Sequence, residues 1–372
     1  MPPAPVDDAD RPRAFRGLRT GVAVCAVVLC AFSLWALREI LTPLALAIFL
    51  LLMIDGMTRW IEARGPSLPR WASLTTAVVS IVAVFALAIA LMVVNGQQFA
   101  AQSHAYHDRL DVLLKQGAQA VGIQTPPTLD DLFDEVNPAN YVGRIAGGLR
   151  KGGEVAVFTL IYLGFLLASR QGFTAKRHEL FADDGAAREF ERVFDRIRVG
   201  VESYIWVQTV VGLMIAAVSA AMMAAVGLSH ILFWSFIIFL ANYIPAIGAA
   251  LGVLLPPIFG LVELDGLWRP VLLVVGLEAT HFVVSHVVQP RMQGNTLNLD
   301  PIVILLALTF WGLLWGVTGA FLSTPLTVVV MAVLAEFRGT RPIAVLLSSD
   351  GRPYANDHSA VRPATQRRKE SR

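Results

Sequence analysis

Residues 239–257 read FLANYIPAIGAALGVLLPP, a stretch that is almost wholly apolar and yet repeatedly contains residues that interrupt helices. Apolar stretches of about 18 residues or more are typical of membrane helices. This one belongs to an apolar run over 230–262, which is too long for one ordinary crossing and is broken between Asn242 and Pro245. Broken backbone at membrane depth is tolerated only where it is buried in protein or lines a water-filled cavity. The stretch therefore predicts a membrane protein with a polar cavity at this break.

The composition agrees with a lipid environment. Of the 372 residues, 55% are hydrophobic and 16% are charged, whereas a soluble domain has about 25% charged residues. The net charge of only +2 gives no electrostatic reason to expect a nucleic-acid partner. Successive apolar segments predict an all-α, polytopic integral membrane protein in contact with the lipid bilayer. The segments are 20–37, 40–54, 72–95, 154–169, 204–228, 230–262, 270–289 and 302–336.

Basic residues predict the orientation, because Lys and Arg near the ends of membrane segments favour the cytoplasm. They concentrate in the N-terminal tail and in residues 55–71, 170–200 and 337–372, so we expect both termini in the cytoplasm. The predicted division of the chain is a basic tail over 1–19, membrane helices over 20–97, an extracytoplasmic helical stretch over 98–153, a membrane helix and a cytoplasmic amphipathic helix over 154–200, a motif-rich membrane core over 201–336, and a basic, disordered tail over 337–372.

A second apolar run, 302–336, is broken in a similar way. Gly312, Gly316 and Gly319 interrupt it, and Pro325 follows. In secondary transporters, paired segments interrupted by Gly and Pro indicate the binding site. One hypothesis makes both broken runs re-entrant hairpins that enter from opposite sides. The alternative makes both runs full crossings of the membrane.

Both broken runs contain a GxxxG spacing, Gly248 with Gly252 in the first and Gly312 with Gly316 in the second. Small residues at this spacing let two helices approach closely. The spacing is compatible with packing inside one chain and with a homo-oligomer.

Segment 270–289 carries polar residues inside an apolar helix. Glu278, His281, Ser285 and Gln289 are spaced i, i+3, i+7 and i+11, which places them on one helical face. An ionisable residue in a membrane span is costly and indicates a function. The spacing predicts that Glu278 and His281 carry protons, so that Glu278→Gln abolishes coupled transport. The alternative is a paired couple that only holds helices together.

Gln208 and Asn242 are neutral polar candidates for the same cavity. The chain contains neither the GxxxxGK[ST] motif of ATP-binding loops nor the HExxH motif of zinc proteases. We therefore predict no catalytic residue, no metal ligand and no cofactor, and we do not expect an enzyme.

Three motifs of the C-terminal half resemble the autoinducer-2 exporter family of bacterial membrane proteins. They are NYIPAIGAALGVLLPP (242–257), QPRMQGNTLNLDP (289–301) and GLLWGVTGAFLSTPL (312–326), and they occur in the family's order and spacing. The resemblance implies an inner-membrane secondary transporter, since members are described as exporters of the quorum-sensing signal autoinducer-2 and some as sodium/proton antiporters. The positions that match the family pattern are Tyr243, Pro245, Gly248, Gln289, Pro290, Gly294, Pro301, Gly316, Gly319 and Pro325.

The chain departs from the family pattern at Trp206 and Val207, where members often have a small or charged pair, and at Asp300, where histidine or serine is common. We predict a transporter of a small solute, with autoinducer-2 as the candidate substrate and with coupling to the proton gradient. The alternatives are a sodium/proton antiporter and a non-transporting scaffold whose 98–153 stretch binds a partner. The predicted substrate- or ion-binding residues are Gln208, Asn242, Tyr243, Pro245, Gly248, Glu278, His281, Ser285, Gln289, Gly316 and Gly319.

Overall fold

The structure is a computed structural model that describes residues 11–64, 69–101, 151–169, 184–293, 298–337 and 339–352, with isolated positions between 109 and 148. These residues are almost entirely helical, because helices satisfy all backbone polar groups within lipid. The principal helices are α1 (Arg11–Ala36), α2 (Arg38–Arg64), α3 (Arg70–Ala101), α4 (Lys151–Ser169), α5 (Asp184–Val226), α6 (Ile231–Ala241), α7 (Ile247–Glu263), α8 (Trp268–Val283), α9 (Pro301–Glu336) and α10 (Arg341–Leu347).

Every predicted apolar segment lies in one or two of these helices, which confirms the all-α polytopic fold. Large apolar side chains cover the outer surface, and Leu313 and Val317 are 80% and 78% exposed. Such a surface suits contact with lipid rather than water. The described stretches that are long and apolar enough to cross a membrane are Arg38–Arg64, Lys151–Ser169, Phe190–Val226, Trp268–Met292 and Pro301–Glu336.

Helix α5 differs from the prediction. The amphipathic helix expected before residue 201 is not separate, because residues 184–226 form one helix of 43 residues. At 1.5 Å per residue this helix is about 65 Å long, more than twice the thickness of the hydrocarbon core, about 30 Å. A single glycine, Gly200, lies near the predicted boundary, and one glycine costs a helix only about 1 kcal/mol. The boundary predicted at 200/201 therefore falls inside a continuous element.

The first broken run folds as a hairpin of α6 and α7. The turn between them contains Ala246, whose φ is +62°. At the open end of the hairpin, the ring centroids of Trp234 and Phe259 lie 5.4 Å apart, so the two arms run back side by side. Close to the turn, a Cβ on Gly248 would lie 2.7 Å from the carbonyl carbon of Ala241. Only glycine allows the arms to cross this closely.

The second broken run also folds back on itself, within α9. Gly316 has φ 66° and ψ −143°, far from helical values, and it marks the turn. The indole N–H of Trp311 donates to the Thr327 hydroxyl at 3.2 Å although the two are 16 residues apart, a separation of about 24 Å in a straight helix. A Cβ on Gly319 would lie 2.7 Å from the carbonyl carbon of Trp311. Both predicted breaks are therefore confirmed.

The tight crossing in the second hairpin does not involve the predicted GxxxG pair. A Cβ on Gly312 would make an ordinary contact of 4.0 Å with the Cβ of Ala320, and a Cβ on Gly316 would meet nothing within 4 Å. The close approach falls on Gly319 instead. Periodicity alone predicts which residues share a face of a straight helix, and it cannot locate the contact after the chain has turned.

The two hairpins enter the core from opposite ends of α5. The open end of the first lies beyond the C-terminus of α5, where Glu263 accepts a hydrogen bond from the backbone N–H of Ser229 at 3.0 Å. The open end of the second lies near the N-terminus of α5, where Arg196 and Glu336 form an ion pair at 3.7 Å. This inverted arrangement favours the re-entrant hypothesis over two full crossings.

The C-terminal tail begins with ordered structure, whereas its composition predicts disorder from residue 337. After α10, residues 347–350 pair with residues 298–300, and Leu299 and Ser348 form an antiparallel β-bridge. We refer to these two short segments together as the clasp. A pairing with a segment so distant in the chain leaves no trace in local composition.

Part of the sequence analysis concerns positions outside the described residues. These positions include residues 1–10, most of the predicted extracytoplasmic stretch 98–153, residues 170–183, Gly294, and residues 353–372 at the C-terminus. The placement of both termini in the cytoplasm stays a prediction.

Candidate functional site

A cavity of about 390 Å³ lies between the two hairpins. Its wall is built from α5, the turn of the first hairpin, the C-terminal part of α8, the second hairpin and the clasp. Small-molecule pockets have volumes of about 300–1,000 Å³, so the cavity is large enough for a small solute. The predicted site residues that line it are Gln208, Asn242, Pro245, His281, Ser285 and Gln289.

Gln208 fastens the turn of the first hairpin to α5. Its side-chain nitrogen donates to the backbone carbonyl of Asn242, and the Asn242 side-chain nitrogen donates to the backbone carbonyl of Gln208 at 3.2 Å. The exchange satisfies a carbonyl that the broken helix leaves without a partner. Gly212 leaves room for the contact, because a Cβ there would lie 3.1 Å from the Asn242 side-chain nitrogen. Both predicted residues therefore line the cavity and also shape it.

Tyr243 and Gly248 lie beside the cavity rather than in its wall. The hydroxyl of buried Tyr243 is 2.6 Å from the Thr209 hydroxyl, and its ring stacks on Phe321 of the second hairpin at 5.1 Å. Tyr204, which does line the cavity, donates its hydroxyl to the Tyr243 carbonyl at 3.3 Å. Tyr243 thus connects the two hairpins, and Gly248 serves the crossing of α6 and α7.

The α8 side of the cavity depends on a change in helical winding. Residues 284–288 form a π-turn, after which the helix continues through Pro290 to Gln293, and we count this continuation as part of α8. The i→i+5 hydrogen bonds of a π-turn accommodate an extra residue and rotate the following residues relative to a plain α-helix. Ser285 and Gln289 consequently line the same cavity as the buried His281.

His281 differs from the other polar groups of the wall. Its side chain is 5% exposed, and within the described residues its Nε2 has no hydrogen-bond partner. Gly252 of α7 lies against the ring, since a Cβ there would be 2.8 Å from Nε2. A buried polar atom without a partner costs free energy. A solute or a water molecule that hydrogen-bonds to Nε2 would remove that cost.

Glu278 does not join the other residues of its predicted face. It lies on the exposed side of α8, outside the cavity wall. The predicted face assumes uniform α-helical winding, whereas the π-turn rotates Ser285 and Gln289 towards the side of His281. Glu278 and His281 stay neighbours along the helix, because residues three apart are adjacent on its surface.

The glycines predicted as site residues in the second hairpin have structural positions. Gly316 forms the turn and Gly319 allows the crossing, and neither lines the cavity. This hairpin contributes Ile304 and Thr324 to the wall instead.

The polar lining residues that sequence reasoning missed are Tyr204, Thr324, Asn298 and Ser349. Tyr204 carried a signal, because it lies one helical turn before Gln208. Thr324 carried another, as a polar residue inside an apolar run. Asn298 and Ser349 carried none, because they meet only through the clasp.

The cavity wall combines uncharged polar side chains with apolar ones such as Ile244 and Leu299. Among the described residues that line it, none is Asp, Glu, Lys or Arg. Its amides, hydroxyls and imidazole can both donate and accept hydrogen bonds, whereas a fully charged solute would find no counter-charge in this wall. In the described part of the chain, no three His, Cys, Asp or Glu side chains converge to hold a metal ion.

Comparison with known proteins places this architecture in a family. The model of the AI-2E family transporter matches residues 24–339. The chain is 27% identical over 343 residues to "Putative transport protein" of Haemophilus influenzae, which covers 88% of this chain and 96% of that protein. It is 26% identical over 339 residues to "AI-2 transport protein TqsA" of Escherichia coli K12, which covers 88% of this chain and 94% of that protein. The family model spans most of the chain and includes both hairpins, so this protein belongs to the AI-2E transporter family.

Proposed function

We propose that this AI-2E family transporter carries a small, neutral, polar solute across the bacterial inner membrane, with autoinducer-2 as the candidate substrate. The observation that carries the proposal is the cavity between two inverted hairpins, whose polar lining residues carry no Asp, Glu, Lys or Arg charge. The E. coli relative is named for AI-2 transport, which supports the choice of candidate. Export, the direction that the family resemblance implies, belongs to the same proposal.

The binding groups of the proposal come from two elements that meet at the cavity. Gln208 and Asn242 present amides at the turn of the first hairpin, and Ser285 and Gln289 present a hydroxyl and an amide from α8. Together they offer a hydroxylated solute both donors and acceptors. Binding energy would come from several such hydrogen bonds formed together.

We assign coupling to the proton gradient to His281. It is the one described lining residue whose side chain ordinarily titrates close to neutral pH. Protonation would turn Nε2 from an acceptor into a donor and would place a charge inside a neutral wall. The proton would therefore change the affinity of the cavity for its solute. Glu278 is a second candidate for the same role, one helical turn from His281 but outside the wall.

The alternative functions receive less support. A sodium/proton antiporter needs a sodium site, and hard cations are bound by carboxylate, carbonyl and water oxygens. The described wall contains no carboxylate, although the broken helices could offer carbonyls. The scaffold hypothesis depends on the stretch 98–153, most of which lies outside the described residues.

Proteoliposomes with purified full-length protein, an internal pH dye and autoinducer-2 loaded inside test the proposal. We expect release of the signal that depends on an imposed proton gradient and that moves protons. His281→Gln should abolish the proton dependence. His286→Gln is the matched control, because that imidazole lies on the same helix and is exposed outside the cavity wall. Proton movement that follows external sodium, without release of the signal, would establish the antiporter instead.

A further inference from the structure

The clasp lies at one end of the cavity and belongs to neither hairpin arm. Asn298, Leu299 and Ser349 are lining residues. One segment of the clasp comes directly before α9 and the other directly after α10, so the clasp joins the start of the second hairpin to the C-terminal region.

Most hydrogen bonds of the clasp involve Asn298. Its carbonyl accepts from the Ser349 N–H at 3.1 Å, and its side-chain oxygen accepts from the Ser349 hydroxyl at 2.5 Å. Its side-chain nitrogen donates to the Asp350 carboxylate at 2.6 Å and to the carbonyl of Arg352. Asn298 has a φ of +40°, a left-handed conformation that Asn tolerates better than most residues. Asn298 therefore makes most of the polar contacts between the two segments, and the Asp300 N–H adds one to the Leu347 carbonyl at 3.1 Å.

The clasp and its neighbouring helix are held in different ways. Ala344 of α10 is fully buried within an apolar cluster, and the Thr340 hydroxyl caps the end of α9 by donating to the Leu334 carbonyl at 2.8 Å. Leu299 of the clasp is buried in the same cluster, and Leu347 packs against it. The exposed residues that follow, Ser349 and Asp350, are held by the polar bonds of Asn298, which individually contribute little net stability because water can replace them. These exposed residues can therefore separate from Asn298 while Leu299 and α10 stay packed.

The pH response of Asp350 keeps the clasp closed in the physiological range. The Asn298 side chain, with the backbone N–H of Arg352, holds the pKa of the Asp350 carboxyl below its ordinary value. A lowered pKa in the folded state stabilises the fold above the unfolded pKa of the carboxyl, and this contribution is lost only as pH falls through the lowered folded-state pKa. Protonation of Asp350 therefore does not weaken the clasp near neutral pH.

We propose that the clasp is the gate of the cavity at this end, through which the solute passes when Asn298 separates from Ser349 and Asp350. This inference rests on the proposed transport through the same cavity. Asn298 and Ser349 line the cavity and also bond to one another across the clasp. A solute in the cavity can therefore affect the contact that holds the C-terminal segment in place.

A reversible covalent lock tests the gate. Leu299 and Ser348 are a non-hydrogen-bonded antiparallel pair, since the flanking bonds run from Asp300 N–H to Leu347 and from Ser349 N–H to Asn298. Such pairs have Cα atoms about 4.5 Å apart, within the disulfide range of about 4.4–6.8 Å. Leu299→Cys with Ser348→Cys, in a background with Cys25→Ala and Cys30→Ala, should lose about tenfold or more of its transport on oxidation and regain it on reduction. Equal transport by the cross-linked and reduced protein would overturn the gate.

A second measurement reads the gate without any substrate. Ser285→Cys in the same cysteine-free background reports access of a membrane-impermeant thiol reagent to the cavity. Asn298→Gly with Ser349→Ala removes the side-chain bonds while glycine keeps the left-handed backbone, and we expect labelling about fivefold faster or more. Leu346→Ala is the control, an exposed position of α10 outside the clasp. Unchanged labelling would overturn the gate.

The two measurements also separate the gate from the proposed function. If the native protein releases no autoinducer-2 but labelling of Ser285→Cys follows the state of the clasp, the substrate assignment fails and the gate stands. If transport is normal and labelling ignores the clasp, the gate fails and the transport proposal stands.

Discussion

The first hairpin turns through a stretch of residues that reaches the cavity, whereas the second turns at a single glycine away from it. Both need glycine where their arms cross, Gly248 in the first and Gly319 in the second. In the first hairpin the polar Asn242 at the turn enters the cavity wall. In the second, Trp311 and Thr327 bond to one another between the arms.

The difference shows that a broken helix in a membrane is not automatically a binding site. An interrupted backbone needs partners for its polar groups, and protein can supply them as well as a solute can. The second hairpin satisfies many of its polar side chains internally. The first leaves its turn at the cavity, where a solute can complete the hydrogen bonding.

The largest expected effect is a loss of stability when the glycine at either arm crossing is replaced. Gly248→Ala and Gly319→Ala would each place a Cβ 2.7 Å from a backbone carbonyl carbon of the opposite arm. We expect a loss of more than about 3 kcal/mol of stability, seen as little monodisperse protein after extraction in detergent.

Gly164→Ala on α4 is the control for both variants, because a Cβ there meets nothing within 4 Å. It should extract as well as the unaltered protein. If Gly319→Ala folded normally and Gly248→Ala did not, the second hairpin would be packed less tightly than the first. The two glycines would then not have the same role.

The next largest effect distinguishes the first hairpin, whose turn lines the cavity, from the second, whose arms bond to one another. Gln208→Ala removes the bond to the first turn and a lining amide, so we expect transport to fall about tenfold with a loss of about 1 kcal/mol in stability. Thr327→Val removes the partner of Trp311 within the second hairpin and should cost about 1 kcal/mol with nearly normal transport. Transport rates and thermal unfolding of the two variants check this contrast. Equal transport defects would mean that both hairpins contact the solute.

The smallest expected effect is a change in the free energy of unfolding that has opposite signs at the two turns. Ala246 in the first turn has a φ of +62° and Gly316 in the second has +66°. Ala246→Gly should raise the free energy of unfolding by about 1 kcal/mol by relieving backbone strain, and Gly316→Ala should lower it by about 1–2 kcal/mol. Chemical denaturation of each variant beside the native protein measures both changes. The same sign at both turns would contradict the assigned backbone conformations.

The sequence was sufficient to predict the helices and both breaks, because long apolar runs and Gly or Pro interruptions determine the backbone locally. It also predicted one candidate site for five residues that all line the cavity: Gln208, Asn242, His281, Ser285 and Gln289. Glu278 was placed on the same face because α-helical periodicity cannot reveal a π-turn further along. Asn298 and Ser349 were missed because their meeting depends on the tertiary fold.

The π-turn over 284–288 makes the cavity sensitive to the number of residues in α8 as well as to their types. Deleting one residue there would restore uniform winding and turn Gln289 by about 100° around the helix axis. Every side chain after the deletion would keep its identity and lose its direction. A single-codon deletion in this segment would therefore replace the polar wall by another face of the same helix, a far larger change than most point substitutions could make.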